Sequence, residues 1–451
     1  MVMVSKLLQP EILELVRESN WKDLKEVFKE WLEPDIADLL NSLDEKDSVI
    51  VFRLLPTDRA SLVFSEVEPN RQETIIRSIA NQELKELMLQ LPPDDRTDIF
   101  EEIPGELTQK ILNLLPLDER KEALGLLGYP EESVGRLMTP DYVAVRQNWD
   151  IEQARAHIRR RDKVAETINI VYVVDKEWKL KGDIPIRKFI LAGNTETVET
   201  IMDSKCVSIT AYDDQELAVS HMKKYNLNIL PVVDSNGILL GIVTIDDIID
   251  VLEEEVSEDF HKVAAIVPVE ESYAMASVVL LYKKRVGWLM LLLVSGFLSS
   301  NIIAHFHDAL QSVIVLAFFI PVLIGSGGNT ASQSSTLIIR AIAVGDLNLA
   351  RWWDVVKKEL IIGAMLGITL GVTLFLRSYF WQGGLEVGLV IGLSMIAVIM
   401  WSNLLGSLLP ILLSHFRLDP AVISSPLLAT LVDATGLLIY FYLAKFILNL
   451  A

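Results

Sequence analysis

The chain has 451 residues, a length that accommodates two to four domains, with 41 Lys and Arg against 61 Asp and Glu and a formal net charge of −20. The charge is unevenly spread: residues 271–451 hold 10 basic and 8 acidic side chains, net +2, while residues 1–270 hold 31 and 53, net −22. An acidic first part argues against a nucleic-acid partner, which needs Lys and Arg to neutralise phosphates. The lone cysteine, Cys206, argues against disulfide frameworks and multi-cysteine metal sites.

The opening stretch, MVMVSKLLQPEILELV, lacks the basic and apolar regions of a cleaved signal and reads as the start of a cytosolic domain. From Leu43 an apolar residue recurs every 12 positions, at Leu43, Leu55, Val67, Ile79, Leu91, Ile103, Leu115 and Leu127. Pro often follows, then Asp, as in LPTDR, LPPDDR and LPLDER. Pro suits the first turn of a helix and Asp its positive end. A fixed period of short amphipathic helices predicts a stacked superhelix, expected over residues 1–130.

Residues 169–190, NIVYVVDKEWKLKGDIPIRKFI, match 228–249, NILPVVDSNGILLGIVTIDDII, at an offset of 59. Each copy reads strand, turn at Asp175 or Asp234, strand, helix. The pattern resembles a tandem pair of CBS domains, expected at 131–199 and 200–250, with LMTP at 137–140 opening the first. Such pairs commonly sense ligands, and many bind adenine nucleotides, so ATP or a related nucleotide is a candidate cofactor. Gly241, Thr244 and Asp247 fit the family's ribose–phosphate pattern; the first copy carries Gly182, Pro185 and Lys188 there and lacks the acidic residue. Tyr172 is a candidate to stack on a base. An unoccupied structural pair is the alternative.

An acidic connecting helix expected at 251–275 leads from this pair toward the remainder. Across its start, Asp247, Asp250, Glu253, Glu254, Glu255, Glu258 and Asp259 place seven carboxylates within thirteen residues. Clustered oxygens suit hard divalent cations, and Asp94, Asp95 and Asp98 of the helical module are candidate facing ligands. A merely solvated acidic face is the competing reading.

Five segments near 286–306, 312–342, 359–381, 385–413 and 424–448 reach the ~20 apolar residues that a membrane-spanning helix needs, within a domain expected at 276–451. Lys283, Lys284, Arg285, Arg340, Arg351, Lys357, Lys358 and Arg417 lie on one side of these spans, and Arg377 and Lys445 on the other. That asymmetry predicts cytoplasmic N-terminal domains and an outer C-terminus, in a bacterium at the inner membrane. Gly363, Gly367 and Gly371, and Gly388 and Gly392, have G-x-x-x-G spacing, which serves close helix packing within one chain or between two. His305 and His307 fall in a loop, and no nucleophile–base arrangement argues for an enzyme.

Two features in this half exceed what a simple anchor requires. Asp433 lies inside the last apolar segment, where a carboxylate costs at least ~2.5 kcal/mol and calls for water, a partner or a cation. Residues 321–340, PVLIGSGGNTASQSSTLIIR, mix glycines with hydroxyls and amides, a composition suited to a wet cavity at membrane depth.

The order of parts is that of the MgtE family of magnesium channels, which the chain resembles over nearly its whole length, most specifically at 325–341 and 425–441. The resemblance implies a multi-domain fold: an all-α superhelical N-terminal domain, an α/β CBS pair and an all-α five-helix transmembrane domain. It implies a homodimer in the lipid bilayer whose pore lies between subunits. Asp433 is then the ion-selecting carboxylate, Ala429 supplies a backbone carbonyl, and Ser332, Thr336 and Ser425 meet the ion's water. Relatives often carry Asn at the positions of Ser332 and Ser425. High internal Mg²⁺ is expected to bridge Asp94, Asp95, Asp98, Asp247, Asp250, Glu255, Glu258 and Asp259 and close the pore. The alternatives are a channel for another divalent ion such as Co²⁺, and a membrane-anchored nucleotide receptor.

Overall fold

The structure is a computed structural model that describes residues 11–161, 165–193, 196–268, 276–343, 347, 352–416, 418–420 and 425–450, without the side chains of 382 and 383. It divides into two compact units, residues 1–253 and 254–451.

In the first unit, helices begin at Glu33, Glu45, Thr57, Pro69, Asn81, Pro93, Gly105 and Leu117, twelve residues apart. The residue that ends most of them, Leu43, Ile79, Leu91, Ile103 or Leu115, is extended and buried. The recurring apolar residue thus breaks the helix and fills the core at once. Helices pack on their next-but-one neighbours, Glu33–Ser42 on Thr57–Ser65 and Glu45–Phe52 on Pro69–Ser78. No short helix is stable by itself, and one continuous cluster from Ile12 to Ala123 supplies the burial.

The duplicated segment forms two matching sheets. In the first, β1 (Ala144–Arg146) runs parallel to β2 (Ile170–Val174), and β3 (Leu180–Pro185) lies antiparallel on the other side of β2. In the second, β4 (Ile209–Thr210), β5 (Ile229–Val233) and β6 (Leu239–Thr244) repeat this order. Asp175 accepts backbone bonds from Glu177 and Lys179, and Asp234 from Asn236 and Ile238, as expected of turn residues. The same offset of 59 separates Gly182 and Gly241: a Cβ on the first would lie 2.2 Å from the Asp203 carbonyl, and on the second 2.7 Å from that of Thr139. Each glycine therefore lets the lead-in of the other motif cross its sheet. Accordingly Val134 and Met138 pack into the second motif and Val198 into the first; the border expected between 199 and 200 divides the sequence but not the packing. The helix Ile245–Val263 is continuous through the border expected at 250.

In the second unit the five expected apolar segments are helices: span 1 Val278–His305, span 2 Val315–Ala343, span 3 Trp352–Trp381, span 4 Gly384–His415 and span 5 Ser425–Leu448. Span 1 begins eight residues before its expected start, and a short helix, His307–Ser312, follows it. The spaced glycines work within the chain. A Cβ on Gly371 would lie 2.7 Å from the Gly392 carbonyl, and one on Gly367 3.0 Å from that of Ile396, so spans 3 and 4 meet backbone to backbone. Small residues permit that approach where lipid gives no hydrophobic drive between helices.

Candidate ion pathway and ion-sensing cluster

Span 2 is one continuous helix with Pro321 inside it; Gly327 and Gly328 serve close approach, whereas a Cβ on Gly325 would meet nothing within 4 Å. A Cβ on Gly327 would come within 3.1 Å of Val398, Val432 and Ser402; one on Gly328 would lie 3.4 Å from the Ala429 Cβ and 4.0 Å from Asp433 Oδ1. Gly406 of span 4 is tighter, its Cβ position lying 2.4 Å from the Ala331 carbonyl. Ser425, Ala429 and Asp433 are spaced by four along span 5, and Gly328, Ser332 and Thr336 by four along span 2. That spacing puts each trio on one helix face, and spans 2 and 5 pack together. Asp433, Ser332, Ala429 and Ser425 are half-buried and Thr336 exposed. Among the described residues Asp433 makes no hydrogen bond or ion pair.

Glu359 was legible only as a residue near a span end. The structure buries it at 8% exposure and surrounds it with donors: Asn403 Nδ2 at 2.7 Å from both its Oε2 and its backbone carbonyl, and Ser334 Oγ at 3.1 Å. Spans 2, 3 and 4 are tied at this carboxylate. Asn403, a lone amide in an apolar helix and so expected to make a polar contact, is the sequence signal for this partner.

The helix Pro93–Glu102 starts with Pro at its first turn and presents Asp94, Asp95 and Asp98 toward Asp247 at the start of Ile245–Val263. Burial and then Asp247 raise Asp94 well above the usual carboxylate range. The same causes, in the same order, push Asp95 to about 7 and Asp98 to about 8. Asp98 stands on the exposed rim, where water tempers its shift most. Asp247 rises to about 6 through burial, with Asp246 and Glu166 adding and hydrogen bonds from Thr244 opposing. Asp94 Oδ1 is buried without a hydrogen-bond partner among the described residues, an acceptor that suits a cation. Yet no three His, Cys, Asp or Glu side chains among the described residues lie close enough to hold a bare ion. Carboxylates that repel without chelating fit an ion that keeps its water, as Mg²⁺ does. Glu66, Glu166 and Asp246 share this field and were not singled out from sequence.

Glu66 is raised by burial and then by Asp250, and Asp250 by burial and then by Glu253 and Asp246. In the other unit Lys262 joins Glu258 at 2.9 Å and Asp419, between spans 4 and 5, at 2.8 Å. Asp259 is raised by burial and by Asp419. Glu255 is half-buried on the same helix. Of the eight acidic residues, Asp94, Asp95, Asp98, Asp247 and Asp250 belong to the first unit and Glu255, Glu258 and Asp259 to the second.

One nucleotide candidate requires a correction. Tyr172 is 1% exposed and packs with Ala144, Val174, Ile229 and Ile242 between the two sheets, so its ring is core and cannot stack on a base. Thr244 Oγ1 donates to Asp247 Oδ2 at 2.7 Å and also contacts Asp246, so this pair is already engaged near the acidic cluster.

Comparisons with known proteins follow the same division. The MgtE family model, a divalent cation transporter, matches residues 320–443; the MgtE intracellular N domain matches 33–132; and CBS domains match 134–193 and 198–254. The magnesium transporter MgtE of Thermus thermophilus is 44% identical over 330 residues, 73% of each chain. That of Bacillus subtilis is 35% identical over 319 residues, 71% of this chain and 70% of its own. The crystal structure of the cytosolic domain of the Mg²⁺ channel MgtE in complex with ATP superposes with a TM-score of 0.52 at 35% identity, covering 54% of this chain and all of that one. With identity above 30% over more than two thirds of such relatives, this chain is a membrane protein that belongs to the MgtE family of divalent cation transporters.

Proposed function

We propose that two copies of this chain form a channel that imports Mg²⁺ and that intracellular Mg²⁺ closes. The observation that carries the reading is Asp433, a carboxylate in an apolar helix, unpartnered among the described residues and facing the glycine-cleared side of span 2. Isolated at that depth it costs roughly 2.5–3.5 kcal/mol; two such carboxylates facing one divalent cation offset the cost. Mg²⁺ sheds its water reluctantly, so hydroxyls of Ser332, Thr336 and Ser425 and the Ala429 carbonyl would meet its hydration shell. Span 1 has no buried residue within the chain, which leaves surface for lipid and for the second copy. The flanking cations support a cytoplasmic N-terminal unit and an outer C-terminus. Moving an ion through such a path needs no covalent chemistry, which supports transport rather than catalysis.

For closure, Asp94, Asp95, Asp98, Asp247 and Asp250 would share hydrated Mg²⁺ in one unit, while Glu255, Glu258 and Asp259 would act beside Lys262 and Asp419 in the other. Bound cations cancel the repulsion that raises these carboxylates and favour the compact, closed state over the open one. The related cytosolic domain in complex with ATP supports an adenine nucleotide at the CBS pair, with Thr244 and Asp247 as its motif residues.

The test is Mg²⁺ flux into liposomes at several internal Mg²⁺ concentrations, comparing wild type with Asp433→Ala. Loss of flux in the variant supports the pore; full flux overturns it. Equal flux of Co²⁺ would favour the broader divalent channel.

A further inference from the structure

Span 3 carries a cation set on a tryptophan ring near each end. Lys357 Nζ lies 5.9 Å from the centre of the Trp353 ring, and Arg377 Cζ 3.2 Å from that of Trp381. Trp353 also meets the Trp352 ring edge-on at 5.4 Å. Lys357 and Arg377 stand twenty residues apart within the α-helix Trp352–Ser378, about 30 Å at 1.5 Å per residue. That is the thickness of a bilayer's hydrocarbon core. The two pairs therefore mark the two boundaries between lipid and water, where tryptophan rings and long cationic side chains settle.

The two ends are unequal. Arg377 is a single cation, already stacked on its ring. The other end adds a second cation, Lys358, and there Trp352, Trp353, Lys357 and Lys358 are all exposed. Asp354, the acid on the same exposed turn, reaches Lys357 only at 4.0 Å with both side chains largely in the open, a contact of little strength. Lys358 makes no ion pair among the described residues. The next acid, Glu359, is turned inward and holds Asn403 and Ser334. What remains is an exposed, positively charged surface with aromatic sides, and the positive end of the helix reinforces it.

We propose that the start of span 3 seats the headgroup of an anionic phospholipid, its phosphate held by Lys357 and Lys358 and its glycerol end against the rings of Trp352 and Trp353. Charge complementarity selects an anionic lipid over a zwitterionic one, because each basic side chain near such a headgroup contributes about fivefold in affinity. The exposed rings select a lipid over a soluble anion, since their apolar faces lie where acyl chains begin. The seat adjoins Glu359, whose bonds tie spans 2, 3 and 4, so an occupied seat braces that tie against unfolding. This holds whether or not Asp433 conducts ions.

Native mass spectrometry of the full chain in detergent, with equal amounts of phosphatidylglycerol and phosphatidylcholine of matched acyl chains, tests it. Wild type is expected to prefer phosphatidylglycerol about twentyfold, the scale of two lysines. Phosphatidylglycerol should also raise the thermal unfolding midpoint, and inorganic phosphate should not. Lys357→Gln combined with Lys358→Gln should abolish both the preference and the rise. Both lysines are exposed, so this variant should keep the lipid-free midpoint of wild type. Lys357→Arg with Lys358→Arg should retain the preference, and Arg377→Gln at the far end should leave it unchanged. Equal retention of the two lipids by wild type overturns the seat. So does an unchanged preference in the double Gln variant, an equal loss in Arg377→Gln, or a midpoint that inorganic phosphate raises as much as the lipid does.

Discussion

Asn403 donates from one amide nitrogen to both the side-chain Oε2 and the backbone carbonyl of Glu359, each at 2.7 Å, inside the membrane helices. Ser334 adds a third bond from span 2, the helix that also carries Ser332 and Thr336. A half-satisfied polar group at this depth is costly, so this contact fixes how span 2 sits beside spans 3 and 4. Glu359→Gln keeps an acceptor and should fold and conduct nearly as wild type. Glu359→Ala leaves Asn403 and Ser334 without that acceptor and should destabilise by roughly 1–3 kcal/mol, read as a lower unfolding midpoint of the purified protein.

The glycine contacts predict a graded series. Gly406→Ala drives a methyl to 2.4 Å from the Ala331 backbone, where nothing flexible can yield, whereas Gly328→Ala meets Ala429 at an ordinary 3.4 Å. Gly406→Ala should therefore cost roughly 1–3 kcal/mol, the range for overpacking, and Gly328→Ala well under half of that. Gly328→Ala should instead reduce Mg²⁺ flux, because its methyl is directed at the Asp433 side of the groove. Thermal unfolding and liposome flux measured on the same preparations separate the two effects.

Raised carboxylates would make the proposed Mg²⁺ sensing depend on pH. Asp95, raised to about 7 by burial and by Asp247, is partly protonated at neutral pH, and Asp98 is raised in the same direction, so a cation must displace protons. These values lie above the unfolded ones, so the Mg²⁺-free compact unit loses stability as pH rises through them, and added Mg²⁺ should restore it. Cation binding should release protons at pH 7, and affinity should fall as pH drops from 8 to 6. Calorimetry in buffers of different ionisation heat counts the protons; a zero count would remove Asp95 and Asp98 from the sensor.

Lys262 bridges Glu258 and Asp419, and both partners raise its pKa despite its partial burial. Lys262→Met unties the connecting helix from the segment between spans 4 and 5. A half-exposed pair is worth up to about 1 kcal/mol, so the internal Mg²⁺ that halves the current should shift by no more than about fivefold. Single-channel recording with varied internal Mg²⁺ measures the shift, expected toward higher concentration.

Sequence alone determined the elements whose cause is local or periodic. The twelve-residue recurrence from Leu43 placed the helices and most of their breaks, because Pro and acidic first turns start a helix and a buried apolar residue ends most of them. The 59-residue offset placed both sheets and both Asp turns. The uneven charge, −22 against +2, separated the unit that water surrounds from the helices that lipid can surround, and the depth of Asp433 singled it out because few residues are so costly there. Tertiary structure decided what depends on neighbours distant in the chain. It set Gly328 beside Ala429 and Asp433, engaged the G-x-x-x-G steps between spans 3 and 4, and took Tyr172 into the core. It also paired Glu359 with Asn403. Periodicity records which face of an element is buried; only packing determines what that face meets.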